Sequence, residues 1–176
     1  MFERVQFAGR VLAPPRPAAD LALTAVDGSE FRVSQHRGAV ILLFFGYTSC
    51  PDVCPTTLVE MSQVRAILGE MADRVRFVFI TVDPERDTPE RLGTYVGAFD
   101  PTFIALTGSA EQLAQVRRTY GAIAEKQKPR GTAAAYLMAH TASVYVIDPE
   151  GQLRLQFPWG MSVEDMVQDI KLLLRG

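Results

Sequence analysis

The sequence predicts an α/β fold built on a mixed β-sheet, and three observations carry that prediction. Two continuous apolar runs, Ala39–Phe45 ("AVILLFF") and Val75–Val82 ("VRFVFITV"), have the composition of strands buried on both faces. Apolar residues at helical spacing lie between them, so the three segments form a βαβ unit with parallel strands and a right-handed crossover. Later, Thr141–Ile147 and "QLRLQF" flank the turn "DPEG", which predicts an antiparallel hairpin.

The helices are predicted from their apolar faces and their first residues. The helix between the two buried strands has an apolar face made of Leu58, Met61, Val64, Ile67, Leu68 and Met71. Three further helices begin at capping residues, which are Thr88 before Pro89, Ser109 with Gln112, and Ser162 with Asp165. We expect these helices to flank the sheet.

The N-terminal part of the chain adds two simpler elements. Residues 1–20, with three prolines in Pro14–Pro17, predict an extended lead-in. The stretch "LALTAVDGSEFRVS" that follows has the turn signal Asp27-Gly28 between apolar alternations, which predicts a β-hairpin extension. Together, the elements predict a thioredoxin-like fold with a mixed β-sheet flanked by helices, formed by one domain over residues 1–176.

Composition limits the class of protein. The chain has 176 residues, 48% of them hydrophobic and 22% charged, which is typical of one globular domain. A formal charge of −2 argues against nucleic-acid binding, which normally leaves a basic footprint. No apolar run reaches the roughly 20 residues of a membrane helix, and the first 20 residues lack the apolar core of a signal peptide. We therefore expect a soluble chain that meets a membrane only through an anchor absent from it.

The two cysteines of the chain are the first candidate site. Cys50 and Cys54 lie in "FFGYTSCPDVCPTTLVEM", just beyond the first buried strand, and Pro55 fits an early helical position. The N-terminus of a helix stabilises a thiolate through its free N–H groups and dipole. Thiols about one helical turn apart can close a disulfide, and they can also hold a soft cation such as Cu(I) or Zn(II) between them. The spacing alone leaves both uses open.

A third ligand is expected, because two thiolates alone leave Cu(I) two-coordinate. The chain has two histidines. His36 lies in a polar turn before the buried strand and is expected at the surface. His140 precedes a strand expected to run antiparallel to the cysteine strand, so it should lie at the same edge as the thiols. The sequence therefore predicts a trigonal site of Cys50, Cys54 and His140 with a net charge of about −1 when Cu(I) is bound.

These motifs resemble a known family. "GYTSCPDVCP", the loop "VDPERDTP" and the later "HTASVYVID" resemble the SCO/SenC copper-delivery proteins from about Leu21 to the last helix. The resemblance implies a thioredoxin-like fold, copper bound by Cys50, Cys54 and His140, and a role in assembling the CuA centre of cytochrome c oxidase subunit II. It also implies a membrane anchor on the periplasmic or extracytoplasmic side, and an upstream copper donor protein as a second partner. The family usually has an aspartate immediately before the histidine, where this chain has Ala139.

Several other residues have a structural interpretation beside a functional one. The charged loop residues Asp83, Glu85, Arg86 and Asp87 are expected to serve turn formation and helix capping, with partner docking as the alternative. Asp52 is expected to be conformational, although it could hydrogen-bond near the metal. Met138 is expected to pack, although its thioether could bind copper transiently. The basic stretch "RRTYGAIAEKQKPR" is expected to be a solvated face followed by a loop rather than a docking patch.

Two functions remain open at this stage. The first is a copper chaperone that binds Cu(I), with Cu(II) as the alternative oxidation state, and delivers it to CuA. The second is a thiol–disulfide reductase in which Cys50 and Cys54 form the catalytic pair that keeps the CuA cysteines reduced. Only the first function requires His140. A peroxidase is disfavoured because Thr48 and Cys50 do not match the peroxiredoxin pattern.

Overall fold

A computed structural model describes residues 6–128 and 136–176 of the chain. The described residues form an eight-stranded mixed sheet and a separate two-stranded sheet. The strands are β1 (Arg10–Pro17), β2 (Leu23–Ala25), β3 (Glu30–Phe31), β4 (Val40–Gly46), β5 (Val75–Thr81), β6 (Ile104–Thr107), β7 (Ala124–Gln127), β8 (Leu137–His140), β9 (Val144–Ile147) and β10 (Gln152–Phe157). The large sheet has the order β1-β10-β9-β4-β5-β6-β2-β3.

The centre of the large sheet is the predicted βαβ unit. Strands β4 and β5 pair in parallel from Val40↔Val75 to Gly46↔Thr81, and all seven residues of β4 are buried. Strand β9 pairs antiparallel with the other edge of β4, and β10 pairs antiparallel with β9. Because β9 runs against β4, it begins at the edge of the sheet where β4 ends. This arrangement is the expected one.

Four α-helices complete the fold in the described residues. They are α1 (Val53–Leu68), α2 (Pro89–Gly97), α3 (Ala110–Tyr120) and α4 (Val163–Arg175). The hydroxyl groups of Thr88, Ser109 and Ser162 cap the last three helices as the sequence predicts. The apolar face of α1 is shorter than predicted, because the helix ends at Leu68 and a 3₁₀ turn follows from Gly69 (φ 57°). Ile67 and Met71 are 52% and 40% exposed, so neither belongs to the buried apolar face.

The N-terminal segments form the two edges of the large sheet. The extended lead-in contains β1, which pairs antiparallel with β10, so this part of the lead-in belongs to the sheet. The buried carboxylate of Asp169 in α4 accepts hydrogen bonds from the backbone N–H groups of Ala8 and Gly9, at 3.0 and 2.8 Å. The predicted β2–β3 hairpin is present, and β2 adds antiparallel to β6 at the opposite edge.

Besides β1, three strands were not predicted from the sequence. Strand β6 lies between α2 and α3, and β7 and β8 form the two-stranded antiparallel sheet. Of the solvated face and loop expected over the basic stretch, the loop is therefore wrong for Ala124–Gln127, which is strand β7, whereas three of these four residues are exposed as expected. Residues 129–130 of that stretch lie outside the described residues. Strand β8 ends at His140, so this histidine closes the small sheet rather than opening β9.

Within the described ranges, 6–128 and 136–176, no helix is both long enough and apolar enough to cross a membrane.

Candidate metal centre

The edge of the large sheet where β4 ends carries both thiols. The chain leaves β4 at Gly46, passes through a short loop with Cys50, and enters α1 at Val53. Cys50 is partly buried and Cys54 is fully buried. The backbone N–H of Cys54 donates to Cys50 Sγ at 3.4 Å, so the first turn of the helix points a donor at the first sulfur. This is the helix-terminus position that the sequence predicts for the pair.

Gly46 makes room for the second sulfur. A Cβ atom at this position would lie 2.7 Å from the ring of Phe79 and 3.0 Å from Cys54 Sγ. Both distances are shorter than normal carbon contacts, so any side chain here would displace the ring or the thiol. The glycine at the end of β4 therefore allows the buried thiol to lie against the strand backbone.

His140 meets the two thiols at the same edge. Its Nε2 atom lies 3.3 Å from Cys54 Sγ and 3.8 Å from Cys50 Sγ, and the three donor atoms all lie within 4.8 Å of one another. The Nδ1 atom lies 3.1 Å from the backbone oxygen of Thr141. A carbonyl oxygen only accepts hydrogen bonds, so Nδ1 carries a proton, and Nε2 is the ring nitrogen that faces the sulfurs. The residues predicted from the sequence are thus brought together.

The two thiols have opposite acidities. Hydrogen bonds from Cys54 and His140, together with backbone N–H groups, outweigh burial and lower the pKa of Cys50 to about 4. Burial, the hydrogen bond to Cys50 and the negative charge of Cys50 raise the pKa of Cys54 far above its ordinary value. In the metal-free protein at neutral pH, the pair therefore holds one thiolate, on Cys50, and one thiol, on Cys54.

Aromatic rings and a small cavity surround the imidazole. The ring of His140 makes edge-to-face contacts with Phe44 and Tyr47, at centroid distances of 5.9 and 5.7 Å. An open cavity of about 270 Å³ lies beside Cys50 and His140. Met138 lines this cavity but is only 9% exposed and belongs to the hydrophobic core, which fits its expected packing role. Ala139 also lines the cavity and contributes no polar group.

His36 and Asp52 do not contribute to the site formed by the two thiols and His140. His36 lies before β4 begins, at the other end of that strand from the thiols, and stacks on Phe31 with a centroid distance of 4.6 Å. It is partly buried rather than fully at the surface. Asp52 is exposed, and its side chain makes no capping hydrogen bond to α1.

The sequence interpretation missed the role of Asp87. The sequence predicts a charged loop that serves turn formation and helix capping, but Asp87 in that loop is only 1% exposed. Its carboxylate accepts hydrogen bonds from the Thr48 hydroxyl at 2.6 Å, the Thr48 N–H at 3.1 Å and the Thr81 hydroxyl at 2.7 Å. Thr48 lies two residues before Cys50, and Arg91 donates to its hydroxyl from the exposed side at 2.8 Å. Asp87 therefore fixes the start of the thiol loop to strand β5.

Asp83 and Arg86 form the predicted turn, in which the Arg86 N–H donates to the Asp83 backbone oxygen at 3.2 Å, but their side chains also make contacts that the sequence did not predict. Asp83 is 2% exposed, and its carboxylate accepts hydrogen bonds from Arg86 and from the Tyr136 hydroxyl, the latter at 2.7 Å. The Arg86 guanidinium lies 3.7 Å from the centroid of the Tyr136 ring and donates to the Tyr136 backbone oxygen at 3.0 Å. Tyr136 directly precedes β8, so this cluster holds the strand of His140 against the β5–α2 loop.

These features define a class of protein: a thioredoxin-like domain with two cysteines and a histidine gathered at the carboxyl edge of its parallel strands. Comparison with known proteins agrees with this class and narrows it. The model of the SCO1/SenC family matches residues 13–175. The chain therefore belongs to the SCO1/SenC family.

Solved structures and a curated relative are similar along most of the chain. The solution structures of the apo Sco1 protein of Thermus thermophilus are 38% identical, with a TM-score of 0.84 over 98% of this chain and 99% of that one. The structure of Bradyrhizobium japonicum ScoI with copper bound is also 38% identical, with a TM-score of 0.79 over 89% and 99% of the two chains. A SCO2-like protein of Rickettsia prowazekii is 34% identical over 82% of this chain and 71% of its own length. The thioredoxin-like Sco fold is thereby confirmed.

Proposed function

We propose that this protein is a copper chaperone that takes up Cu(I) on Cys50, Cys54 and His140 and delivers it to the CuA site of cytochrome c oxidase subunit II. The observation that carries the proposal is the convergence of two sulfurs and one imidazole nitrogen within 4.8 Å. The copper-bound structure of a relative that is 38% identical supports copper as the metal.

The donor set suits Cu(I). Thiolates are soft ligands that select Cu(I) over harder divalent cations, and a neutral imidazole completes a trigonal site. The Cys50 thiolate is ready to bind, whereas Cys54 must lose its proton when the metal arrives. With both sulfurs ionised, the two thiolates carry a charge of −2, so the site has a net charge of about −1 when Cu(I) is bound and needs no additional acidic ligand.

The exposures of the ligands support transfer by ligand exchange. Cys50 and His140 are partly exposed beside the open cavity, whereas Cys54 is buried behind them. A thiolate of the CuA domain can approach copper from the cavity side and replace the outer ligands before the buried sulfur releases the metal. The same opening suits delivery of Cu(I) by an upstream copper donor protein.

Anaerobic titration with Cu(I) tests the proposal. The wild type should bind one equivalent, with X-ray absorption showing two sulfur scatterers and one nitrogen. Cys50→Ser and Cys54→Ser should lose stoichiometric binding, and His140→Ala should lose the nitrogen scatterer. His36→Ala is the matched control, because it removes the other histidine of the chain at a distance from the thiols. Unchanged binding in both serine variants would end the proposal.

A second candidate function is reduction of the CuA cysteines, and the lowered pKa of the Cys50 thiol favours it. The Cys50 thiolate would attack a disulfide sulfur of the partner, forming a mixed disulfide and releasing the partner's other sulfur as a thiolate. Cys54, after losing its proton, would attack Cys50 Sγ and release the second partner sulfur. The partner gains two electrons and the Cys50–Cys54 disulfide forms, which a dithiol donor must then reduce.

The two functions separate at His140, because thiol–disulfide exchange uses only the sulfurs. His140→Ala should stop copper loading of a CuA domain and leave reduction of its disulfide intact. Retained oxidase assembly in cells that carry this variant, with loss of copper from the purified protein, would favour the reductase.

The proposed location follows from the proposed recipient. Delivery to CuA places the domain on the periplasmic or extracytoplasmic side of the membrane that holds the oxidase, and an anchor would keep it near subunit II. Fractionation of cells expressing the full-length protein, followed by protease treatment of intact spheroplasts, tests this location. Protection from the protease would contradict it.

A further inference from the structure

Tyr47 connects the two parts of the chain that supply the ligands. It follows β4 directly, and its backbone oxygen accepts a hydrogen bond from the Cys50 N–H at 3.2 Å, so its backbone belongs to the thiol loop. Its side chain is 1% exposed and reaches the other part of the site. There, the hydroxyl oxygen accepts a hydrogen bond from the Met138 backbone N–H at 3.1 Å. Met138 lies two residues before His140 on the same strand.

The hydroxyl fills a specific need of strand β8. Within the described residues, β8 has one strand partner, β7. Alternate N–H groups of β8 therefore point away from β7 and have no backbone hydrogen bond to a neighbouring strand. The Met138 N–H is buried at that edge and would lack its hydrogen bond without the tyrosine hydroxyl. A buried N–H without a partner is unfavourable, so the bond holds β8 in register against the thiol loop.

The imidazole has few other constraints close to its ring. Its Nδ1–H is bonded to the adjacent Thr141 oxygen, which moves with the strand, and Ala139 has no polar group to offer. Two edge-to-face contacts fix the ring to the thiol side, one on Phe44 and one on Tyr47, the latter with an interplanar angle of 90°. Tyr47 therefore locates the strand and takes part in locating the ring of His140.

We propose that the Tyr47 hydroxyl is the tether that positions His140 over the two thiols. Tyr47 is a positioning residue, since it acts through Met138 and His140. The consequence for copper rests on the proposed function, whereas the tether itself does not. Cu(I) accepts two thiolates as a sufficient set, but Cu(II) requires nitrogen or oxygen donors in defined places. Loss of the tether should thus weaken Cu(II) binding more than Cu(I) binding.

Tyr47→Phe tests the tether, because it removes only the hydroxyl and keeps the ring. Tyr120→Phe is the matched control: Tyr120 is also buried, and its hydroxyl donates to the backbone oxygen of Ala19 at 2.9 Å, away from the ligands. In the metal-free protein, amide exchange at Met138 should become about tenfold faster in Tyr47→Phe and stay unchanged in Tyr120→Phe. The ring signals of His140 should shift or broaden, while those of His36 serve as an internal reference.

The copper arm uses Cu(II) reconstitution of the same variants. Tyr47→Phe should lose about tenfold in Cu(II) affinity and show weaker nitrogen hyperfine coupling in electron paramagnetic resonance, with a smaller loss for Cu(I). Unchanged exchange at Met138 would overturn the tether. Faster exchange with unchanged His140 signals and Cu(II) spectrum would show that the imidazole is held otherwise, and would overturn the positioning role. A wild type that binds no copper would end the proposed function, while exchange and ring signals still decide the tether.

Discussion

The thiol loop and the histidine strand meet at one site but are supported differently. The thiol loop, residues 47–52, continues β4, whose residues are all buried and which lies between two neighbouring strands. The carboxylate of Asp87 holds this loop by accepting a hydrogen bond from the Thr48 N–H. His140 ends a two-stranded sheet outside the main ladder. That sheet is attached through side chains, among them Tyr136 on Arg86 and Asp83. The thiols are thus positioned by the fold, and the imidazole by a set of separable contacts.

This difference suits the proposed transfer of copper. A rigid thiol pair keeps the metal while the third ligand changes, and a small sheet held by side chains can move without disturbing the main core. The difference also predicts where substitutions act. Changes around Asp87 should affect the stability of the whole domain, whereas changes around Tyr136 should loosen β7 and β8 only.

Asp87→Ala should have the largest effect on stability. It leaves the N–H and hydroxyl of Thr48 and the hydroxyl of Thr81 without their acceptor in a buried region. We expect a loss of about 3 kcal/mol in the free energy of unfolding, measured by urea denaturation followed by circular dichroism. The thiol loop is expected to loosen with the core.

Asp52→Ala is the control for this prediction. Asp52 is also an acidic residue close to the cysteines, but it is exposed and makes no capping bond. Its replacement should change the free energy of unfolding by less than about 0.5 kcal/mol. Equal effects of the two substitutions would show that Asp87 does not support the loop.

The same contrast explains which parts were predictable from sequence. Strands β4 and β5 are continuous apolar runs, and the caps at Thr88, Ser109 and Ser162 are local signals, so these elements were correctly placed. The antiparallel orientation of β9 then brought His140 to the edge with the thiols. Local pattern was sufficient because the main sheet is built from elements with strong local preferences.

The small sheet and the buried acids were not predictable in this way. Strand β7, "AEKQ", has charged and exposed residues without alternation, and it forms only through pairing with β8, which begins ten residues after β7 ends. Asp83 and Asp87 are buried only because Tyr136, Thr48 and Thr81 supply donors from other elements. From the sequence alone, four charged residues in one loop are expected to face solvent, because their tertiary hydrogen-bond partners are not known.

Tyr136→Phe should have the next largest effect, confined to the small sheet. The substitution removes the hydrogen bond to the buried Asp83 carboxylate and keeps the ring against Arg86. A hydrogen bond to a charged group contributes about 2 kcal/mol, so amide exchange in Leu137–His140 should become roughly 30-fold faster. Exchange in β4 should stay unchanged, as measured by exchange mass spectrometry.

Tyr95→Phe is the control for the loss of a tyrosine hydroxyl. Within the described part of the chain, the Tyr95 hydroxyl is buried without a hydrogen-bond partner. Its removal should be neutral or slightly stabilising, with no faster exchange in β8. Faster exchange in β4 and β8 together after Tyr136→Phe would mean that the two sheets open as one unit.

The pH dependence of Cu(I) affinity tests which of the two thiols carries a proton in the metal-free protein. Since the pKa of Cys50 is about 4 and that of Cys54 is raised, only Cys54 carries a proton to be displaced near neutral pH. Copper uptake should therefore release about one proton between roughly pH 7 and 8.5. The affinity should rise about tenfold per pH unit, or about 1.4 kcal/mol. Calorimetry in two buffers of different ionisation enthalpy counts the protons; release of two would contradict a preformed Cys50 thiolate.

Lys126→Ala should have the smallest effect on the stability of the small sheet, because it removes only an exposed contact between that sheet and the rest of the domain. Lys126 Nζ lies 2.7 Å from Glu85, but the two side chains are 50% and 66% exposed. Water and salt weaken such a pair, so we expect about 0.5 kcal/mol of destabilisation of the small sheet, and no difference from the wild type at about 1 M salt. The measurement is the same exchange experiment on Leu137–His140. An effect as large as that of Tyr136→Phe would contradict this description. It would mean that the exposed ion pair of Lys126, rather than the buried cluster around Tyr136, is the main contact that holds the strand of His140.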